Sequence, residues 1–230
     1  MKNVIKRIAA VLAGISLIIT ALYISVAAYA FNPSFYALEF EKNNTYEEMG
    51  MEKSELDRVA AHLIDYIAGD AKELNISAVV DGEERMFFSE IEVAHMVDVK
   101  VIFNVFTIIA IIAACIMLVC TIWYRRKGMI QMLTKYMFVT ILCTISLISL
   151  FAVFCIIDFD GMFTLFHQVL FTNDLWLLDP MTDLLINMVP LQFFIDIAAR
   201  IGVVFVSIIL AAGIMFGIFM KKRNKKGSIV

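Results

Sequence analysis

Three histidines, His62, His95 and His167, are the residues of this chain best suited to move a proton near neutral pH. His62 falls between Arg58 and Asp65 on the polar face of an expected helix, the setting of a solvated surface residue. His95 and His167 lie on two different connecting segments, each beside a long apolar run. His95 shares a helical face with Asp98, three residues on. His167 is set among Phe163, Phe166 and Phe171. Two readings of this pair stay open at the level of residues. One is an amphipathic side chain with its body in an apolar layer and its polar edge in water. The other is a general acid–base pair, since ionisable groups in apolar surroundings are candidates for function. A metal site built from both histidines with Asp98 or Asp174 is a third possibility, but the compact ligand spacing of an HExxH motif is absent from the sequence. A serine nucleophile is weaker still: there is no GxSxG elbow, and the serines of the outer segments are Ser34, Ser54, Ser77 and Ser89.

The elements that must position these residues follow from hydropathy. Hydrophobic residues make up 61% of the chain, above the roughly 45–50% of soluble domains. The excess is concentrated in runs 8–31, 101–124, 136–157 and 201–220. Each has about the 20 residues a helix needs to cross a bilayer. Cys115, Cys120, Cys143 and Cys155 all fall in these runs, so they form neither a disulfide framework nor a Cys–His metal pattern.

Charge then sets orientation. The start holds Lys2, Lys6 and Arg7; the second connection holds Arg125, Arg126, Lys127 and Lys135; the tail holds Lys221, Lys222, Arg223, Lys225 and Lys226. None of these segments contains an acid, and all 22 Asp and Glu lie in the other two connections. The positive-inside rule puts both termini and the 125–135 loop in the cytoplasm, with 32–100 and 158–200 outside. The expected organisation is therefore cytoplasmic start and first span 1–31, cap 32–100, second span 101–124, cytoplasmic loop 125–135, third span 136–157, second outer segment 158–200, fourth span 201–220 and basic tail 221–230. Ala28-Tyr29-Ala30 resembles a signal-peptidase site, but the run before it is longer than a signal core of about 7–15 residues, which favours an uncleaved anchor. The fold class is a polytopic α-helical membrane protein: four transmembrane helices with a small mixed α/β extracytoplasmic cap.

Within the cap, Leu56, Val59, Ala60, Leu63, Ile64 and Ile67 recur at helical spacing, with Ser54 as expected cap and Gly69 as stop. Asp81-Gly82, between the β-prone stretches 76–80 and 85–88, favours a hairpin, although Glu83 and Glu84 blur its register. Ser89 and Glu92 form a capping box that starts a helix running through His95, Asp98 and Lys100 into the second span. The aromatic stretch 161–171 is too short to span and reads as an interfacial helix. Asp179-Pro180 has the form of a helix start, and Pro190 opens the stretch into the last span. Asp179 and Asp183 read first as capping residues and second as site residues.

The run His95-Met96-Val97-Asp98-Val99-Lys100, entering a span, resembles the His-Met-x-Asp-Val-Lys signature of the lipoprotein intramolecular transacylase (Lit) family. Phe166-His167, then Phe171-x-Asn173-Asp174-x-Trp176-x-Leu178-Asp179-Pro180-x-Thr182-Asp183, resembles the same family. So do Phe31-Asn32-Pro33-x-Phe35-Tyr36 and Arg85-Met86-Phe87. The resemblance covers the whole chain. It implies an enzyme that takes diacylglyceryl-modified bacterial lipoproteins and moves the sn-2 acyl chain onto the α-amino group of the same N-terminal Cys. The product is a lyso-form lipoprotein. The family's two histidines fall on His95 and His167. Arg85, Asp98, Lys100, Asn173 and Asp174 are the candidate supporting or headgroup-binding residues, Asp183 a further one, and Phe166, Phe171 and Trp176 the candidate aromatic wall.

That chemistry suits the residues. An α-amine with a pKa of about 7.7–8 must shed a proton before attacking an ester, which a histidine can take, while a second can serve the departing alkoxide. Ester to amide is downhill, so no cofactor, metal or ATP is expected. The expected partners are the lipoprotein substrate and membrane lipid, with no nucleic acid and a monomer favoured, in the bacterial cytoplasmic membrane. The rival readings are a non-enzymatic envelope protein binding lipid or protein through its cap, and a metal-dependent hydrolase.

Overall fold

The computed structural model describes residues 2–227, with side chains described for 3–222, so Lys2, Arg223, Lys225 and Lys226 of the basic ends lie outside the described side chains. In chain order the elements are α1 (Lys2–Ala30), α2 (Pro33–Lys42), α3 (Thr45–Glu48), α4 (Lys53–Ala68), β1 (Ser77–Val80), β2 (Glu83–Met86), α5 (Glu90–Arg126), α6 (Ile130–Ile157), α7 (Phe159–Leu170), α8 (Leu184–Met188) and α9 (Leu191–Gly227). Four of these helices, α1, α5, α6 and α9, are long and apolar enough to cross a membrane. In α6 only 6% of the most apolar window is buried, so most of that window's aliphatic surface is exposed and suits lipid.

The residues divide into two compact units. The first comprises Met1–Val26, Phe106–Ile157 and Ile201–Val230. Its contacts are those of helices packed in an apolar medium, where small residues permit close approach. A Cβ on Gly14 would come within 2.6 Å of the Thr140 hydroxyl, so α1 and α6 touch there only because residue 14 is glycine. Ala10 and Ala13 pack against Tyr124, Leu133 and Met137, and the Tyr124 hydroxyl donates to the Lys6 carbonyl.

The second unit, Ala27–Val105 with Asp158–Arg200, holds the larger core. The apolar face of α4 (Leu56, Val59, Leu63, Ile64, Ile67) meets Phe35, Tyr36 and Phe40 of α2 and Phe87 and Phe88 after β2. Local signals explain most element ends. Asn32 accepts from the Ser34 amide at 3.1 Å, with Pro33 as the first residue of α2. Gly69 closes α4 at φ 94°, a left-handed conformation that costs glycine little. Asp81 and Gly82, at φ 52° and 82°, form the two-residue turn between antiparallel β1 and β2, the conformation required by a type I′ hairpin. The register pairs Val80 with Glu83, so Glu83 and Glu84 begin the second strand rather than blurring it.

Three expectations are corrected. Glu52, not Ser54, occupies the N-cap of α4, because the chain is extended only up to residue 52. Asp179-Pro180 does not start a helix. The Asp179 side chain accepts from the Met181 amide, closing a tight turn, and α8 begins only after Asp183. His62 is half-buried with Nε2 enclosed, rather than solvated.

Candidate active site

The site lies within the second unit and begins with two helix starts. The Ser89 amide donates to Glu92 Oε2 at 2.6 Å and the Glu92 amide to Ser89 Oγ at 3.3 Å, a reciprocal capping box. From there α5 runs unbroken through His95, Asp98 and Lys100. Asp158 caps α7 by accepting from the Gly161 amide at 2.9 Å, and that short helix carries His167 near its end.

His95 and His167 are 7% and 8% exposed, with ring centroids 6.3 Å apart. Phe171 sits against both, 5.0 Å from His95 and 5.6 Å from His167. Trp176 stacks on His167 at 5.0 Å and 28°, Phe163 meets it edge-on at 4.3 Å, and Phe166 lies 5.5 Å away with more than half its surface exposed. Phe194 extends the wall by contacting Phe163 at 4.9 Å. The result is two imidazoles in an aromatic enclosure that limits water.

The ring nitrogens differ. His167 Nδ1 lies 2.8 Å from the Phe163 carbonyl. A carbonyl only accepts, so Nδ1 carries the proton and the neutral ring keeps its lone pair on Nε2. Burial lowers the pKa of His167 from its ordinary value, and the bond to Phe163 offsets part of that. His95 Nδ1 is buried and has no hydrogen-bond partner among the described residues. A buried nitrogen left without a protein partner is costly, and a catalytic role is one of the few explanations for keeping one.

The other expected site residues divide. Asn173 donates from Nδ2 to Asp98 Oδ2 at 2.8 Å, and its own Oδ1 accepts from the Leu175 amide, shaping the turn that presents Trp176. Asp98 thus engages Asn173, and no hydrogen bond joins it to His95. Asp183 accepts from the Asp179 amide at 2.8 Å and from Ser89 Oγ at 3.2 Å, so it braces the first turn of α5. Lys100 points elsewhere: Nζ donates to the Ala71 carbonyl at 2.8 Å and sits 4.0 Å from the Tyr66 ring centre. Arg85 is exposed on β2, and Asp174 is exposed on the loop. Neither is brought to the histidines. Among the described residues, no three His, Cys, Asp or Glu side chains converge as metal ligands.

Two features had little sequence signal. The Leu185 amide donates to Glu92 Oε1, so one buried carboxylate serves two helix starts. Glu39, fully buried on α2, accepts from Arg200 at 3.3 Å, with Lys42 3.8 Å from its other oxygen. Burial pushes the Glu39 carboxyl up from its ordinary value. A carboxylate among Phe35, Tyr36 and Phe40 was the only hint of that pair.

The family model of the lipoprotein intramolecular transacylase Lit matches residues 11–194. The chain belongs to the Lit family. It is a membrane-integral acyltransferase that moves an acyl group within a lipoprotein. The solved structure of the membrane-integral Lit of Bacillus cereus is similar in fold, with a TM-score of 0.77 at 23% identity over 99% of this chain and 100% of that one. Two variants of that protein, with one histidine replaced by arginine or by alanine, give TM-scores of 0.78 at 22% identity, the first covering 98% of this chain and 96% of that one, the second 97% of each. No curated protein sequence matches the chain.

Proposed function

We propose that His95 and His167 are the acid–base pair of this transacylase, acting on the N-terminal diacylglyceryl-Cys of a lipoprotein. His167 Nε2 is the base. It takes a proton from the Cys α-amine as that nitrogen attacks the carbonyl of the sn-2 ester. His95 donates from its ring to the oxygen on which negative charge develops. When the C–O bond breaks, the His167 imidazolium returns the proton it took from the amine to the glyceryl alkoxide, and the amide nitrogen keeps the acyl chain. One ester and one amine become one alcohol and one amide. Nothing is consumed, which agrees with the absence of any expected cofactor. Donor and acceptor share one molecule, so the enzyme's task is to fold the headgroup into reacting geometry; such positioning supplies several kcal/mol. The observation that carries this reading is the facing of two buried imidazoles, one with its tautomer held by Phe163 and one with an uncommitted buried nitrogen.

The substrate hangs from the membrane by its acyl chains, and this suits a site at the outer boundary. The charge pattern supports both termini in the cytoplasm, with 32–100 and 158–200 outside as an extracytoplasmic cap and α7 lying in the interface with Phe166 and Val169 toward lipid. In this arrangement Phe171 and Trp176 exclude the water that would hydrolyse the ester. Asp98, Asn173 and Asp183 hold the wall in place, and the unit works as a monomer. His95→Ala and His167→Ala variants that insert normally are expected to yield no lyso-form lipoprotein; normal product from both would reject the pair. Cysteine-accessibility labelling at residue 70 or 84 from outside intact cells checks the topology, and protection of both sites would reverse it.

A further inference from the structure

The loop 171–183 carries Phe171 and Trp176, the two rings that stack on His167. It meets α5 at two places. Asn173 donates to Asp98, three residues after His95. At its far end, Asp183 accepts from Ser89 and from Asp179, and Leu185 just beyond donates to Glu92, three residues before His95. Residues three before and three after lie on the same side of a helix as the residue between them. The loop is therefore a strap fastened to α5 on either side of His95.

The two fastenings differ. Asp98 and Asn173 meet in the open, where water competes for the bond. Glu92 is 1% exposed, and its oxygens are taken by two backbone amides, one from the first turn of α5 and one from the first turn of α8. Both amides belong to groups that helix starts leave unpaired. Only a carboxylate can accept at both ends; a carboxamide would put a donor against one of the amides.

We propose that Glu92 is a positioning residue of the transacylation. By joining the two helix starts it fixes the far end of the strap, and through it the alignment of His167 with His95. This rests on the histidine pair assigned above. The test is Glu92→Gln in the full-length purified enzyme, normalised to folded protein by gel filtration. It is read as kcat and KM on a diacylglyceryl lipopeptide and as the rate of diethyl pyrocarbonate modification at His167 by peptide mapping. Misalignment of reacting groups lowers kcat more than binding, so kcat is expected to fall about tenfold or more with KM within about twofold. Modification of His167 is expected to quicken about threefold as the strap loosens. Unchanged kcat per folded molecule overturns the proposal, whatever the yield, because Glu92 would then serve folding alone. Lost kcat with unchanged modification also overturns it, since the strap would not have moved. If Glu92→Gln does not fold, Glu92→Asp, which keeps a carboxylate but draws it back by one carbon from the two amides, is read by the same criteria. The modification rate does not depend on the histidines being catalytic, so failure of the strap and failure of the acid–base pair give different results.

Discussion

Replacing Phe171 with alanine should turn part of the transferase activity into hydrolysis. Phe171 is 8% exposed and, among the described residues, is the one ring packed against both imidazoles. Truncating a buried phenylalanine costs about 3–5 kcal/mol of stability, and each lost ring–ring contact adds about 0.5–1.5 kcal/mol of lost preference for the present geometry. If one such contact's worth of alignment, about 1.4 kcal/mol, is lost from the transition state, transfer slows about tenfold. The gap beside the histidines also admits water to the same activated carbonyl. The two fates of the acyl group are separable by mass. Intramolecular transfer leaves the lipopeptide mass unchanged, whereas hydrolysis removes one acyl chain and releases a free fatty acid. Liquid chromatography with mass detection on a diacylglyceryl lipopeptide, wild type against Phe171→Ala and Phe171→Leu, gives both rates. The expected order is lowest release for wild type, intermediate for leucine and highest for alanine, with transfer in reverse order. Folded Phe171→Ala enzyme that transfers at the wild-type rate and releases no fatty acid would refute the role of the aromatic wall.

Other consequences follow from the same geometry. Burial lowers the pKa of His167, so its neutral, basic form persists below the ordinary histidine value of about 6.5. Between that value and the lower folded one the unfolded chain binds the extra proton, so stability falls with acid in that window, and a pH series of thermal melts should lose this loss in His167→Gln. The activity profile should instead rise toward the amine pKa near 8, with the histidine limb below 6.5. Glu39→Ala strips a buried partner from Arg200 and Lys42. Arg200 and Lys42 are about half exposed and Lys42 keeps Asp196, so the loss should be about 1 kcal/mol, read as a drop in melting temperature, with Glu39→Gln milder. At the exposed end of the strap, Asn173→Asp alone sets two carboxylates together and should slow turnover several-fold, while the swapped pair D98N/N173D restores a donor facing an acceptor and should recover most of it.

Much of this architecture was legible because its determinants are local. Apolar runs of bilayer length specified four helices, since no other element satisfies its backbone in lipid. Asp81-Gly82 specified a hairpin because both residues tolerate positive φ, and Ser89 with Glu92 specified the start of α5. The partners of local signals were not legible. The second bond of Glu92, to Leu185, joins residues 93 apart, and nothing at either position announces the other. Glu39 and Arg200 are 161 apart. Asp179-Pro180 misled because an Asp before Pro caps a turn as readily as a helix. Lys100 followed the same rule: its place in a signature said nothing of the Ala71 carbonyl and the Tyr66 ring that hold it. The histidines were found because a proton carrier in an aromatic stretch is chemically conspicuous; that they face each other over Phe171 depended on chain paths the sequence does not spell out.

The central claim, that one acyl chain passes from glyceryl oxygen to the Cys nitrogen through the His95–His167 pair, is tested most directly by intact-mass and fragmentation spectrometry of a lipoprotein N-terminus after incubation with the enzyme. The account predicts an unchanged total mass, one acyl chain on the nitrogen and one on glycerol with wild type, and unreacted diacylglyceryl-Cys with folded His95→Ala or His167→Ala. A product lighter by one acyl chain with wild type, or nitrogen-acylated product at the wild-type rate from both variants, would contradict it.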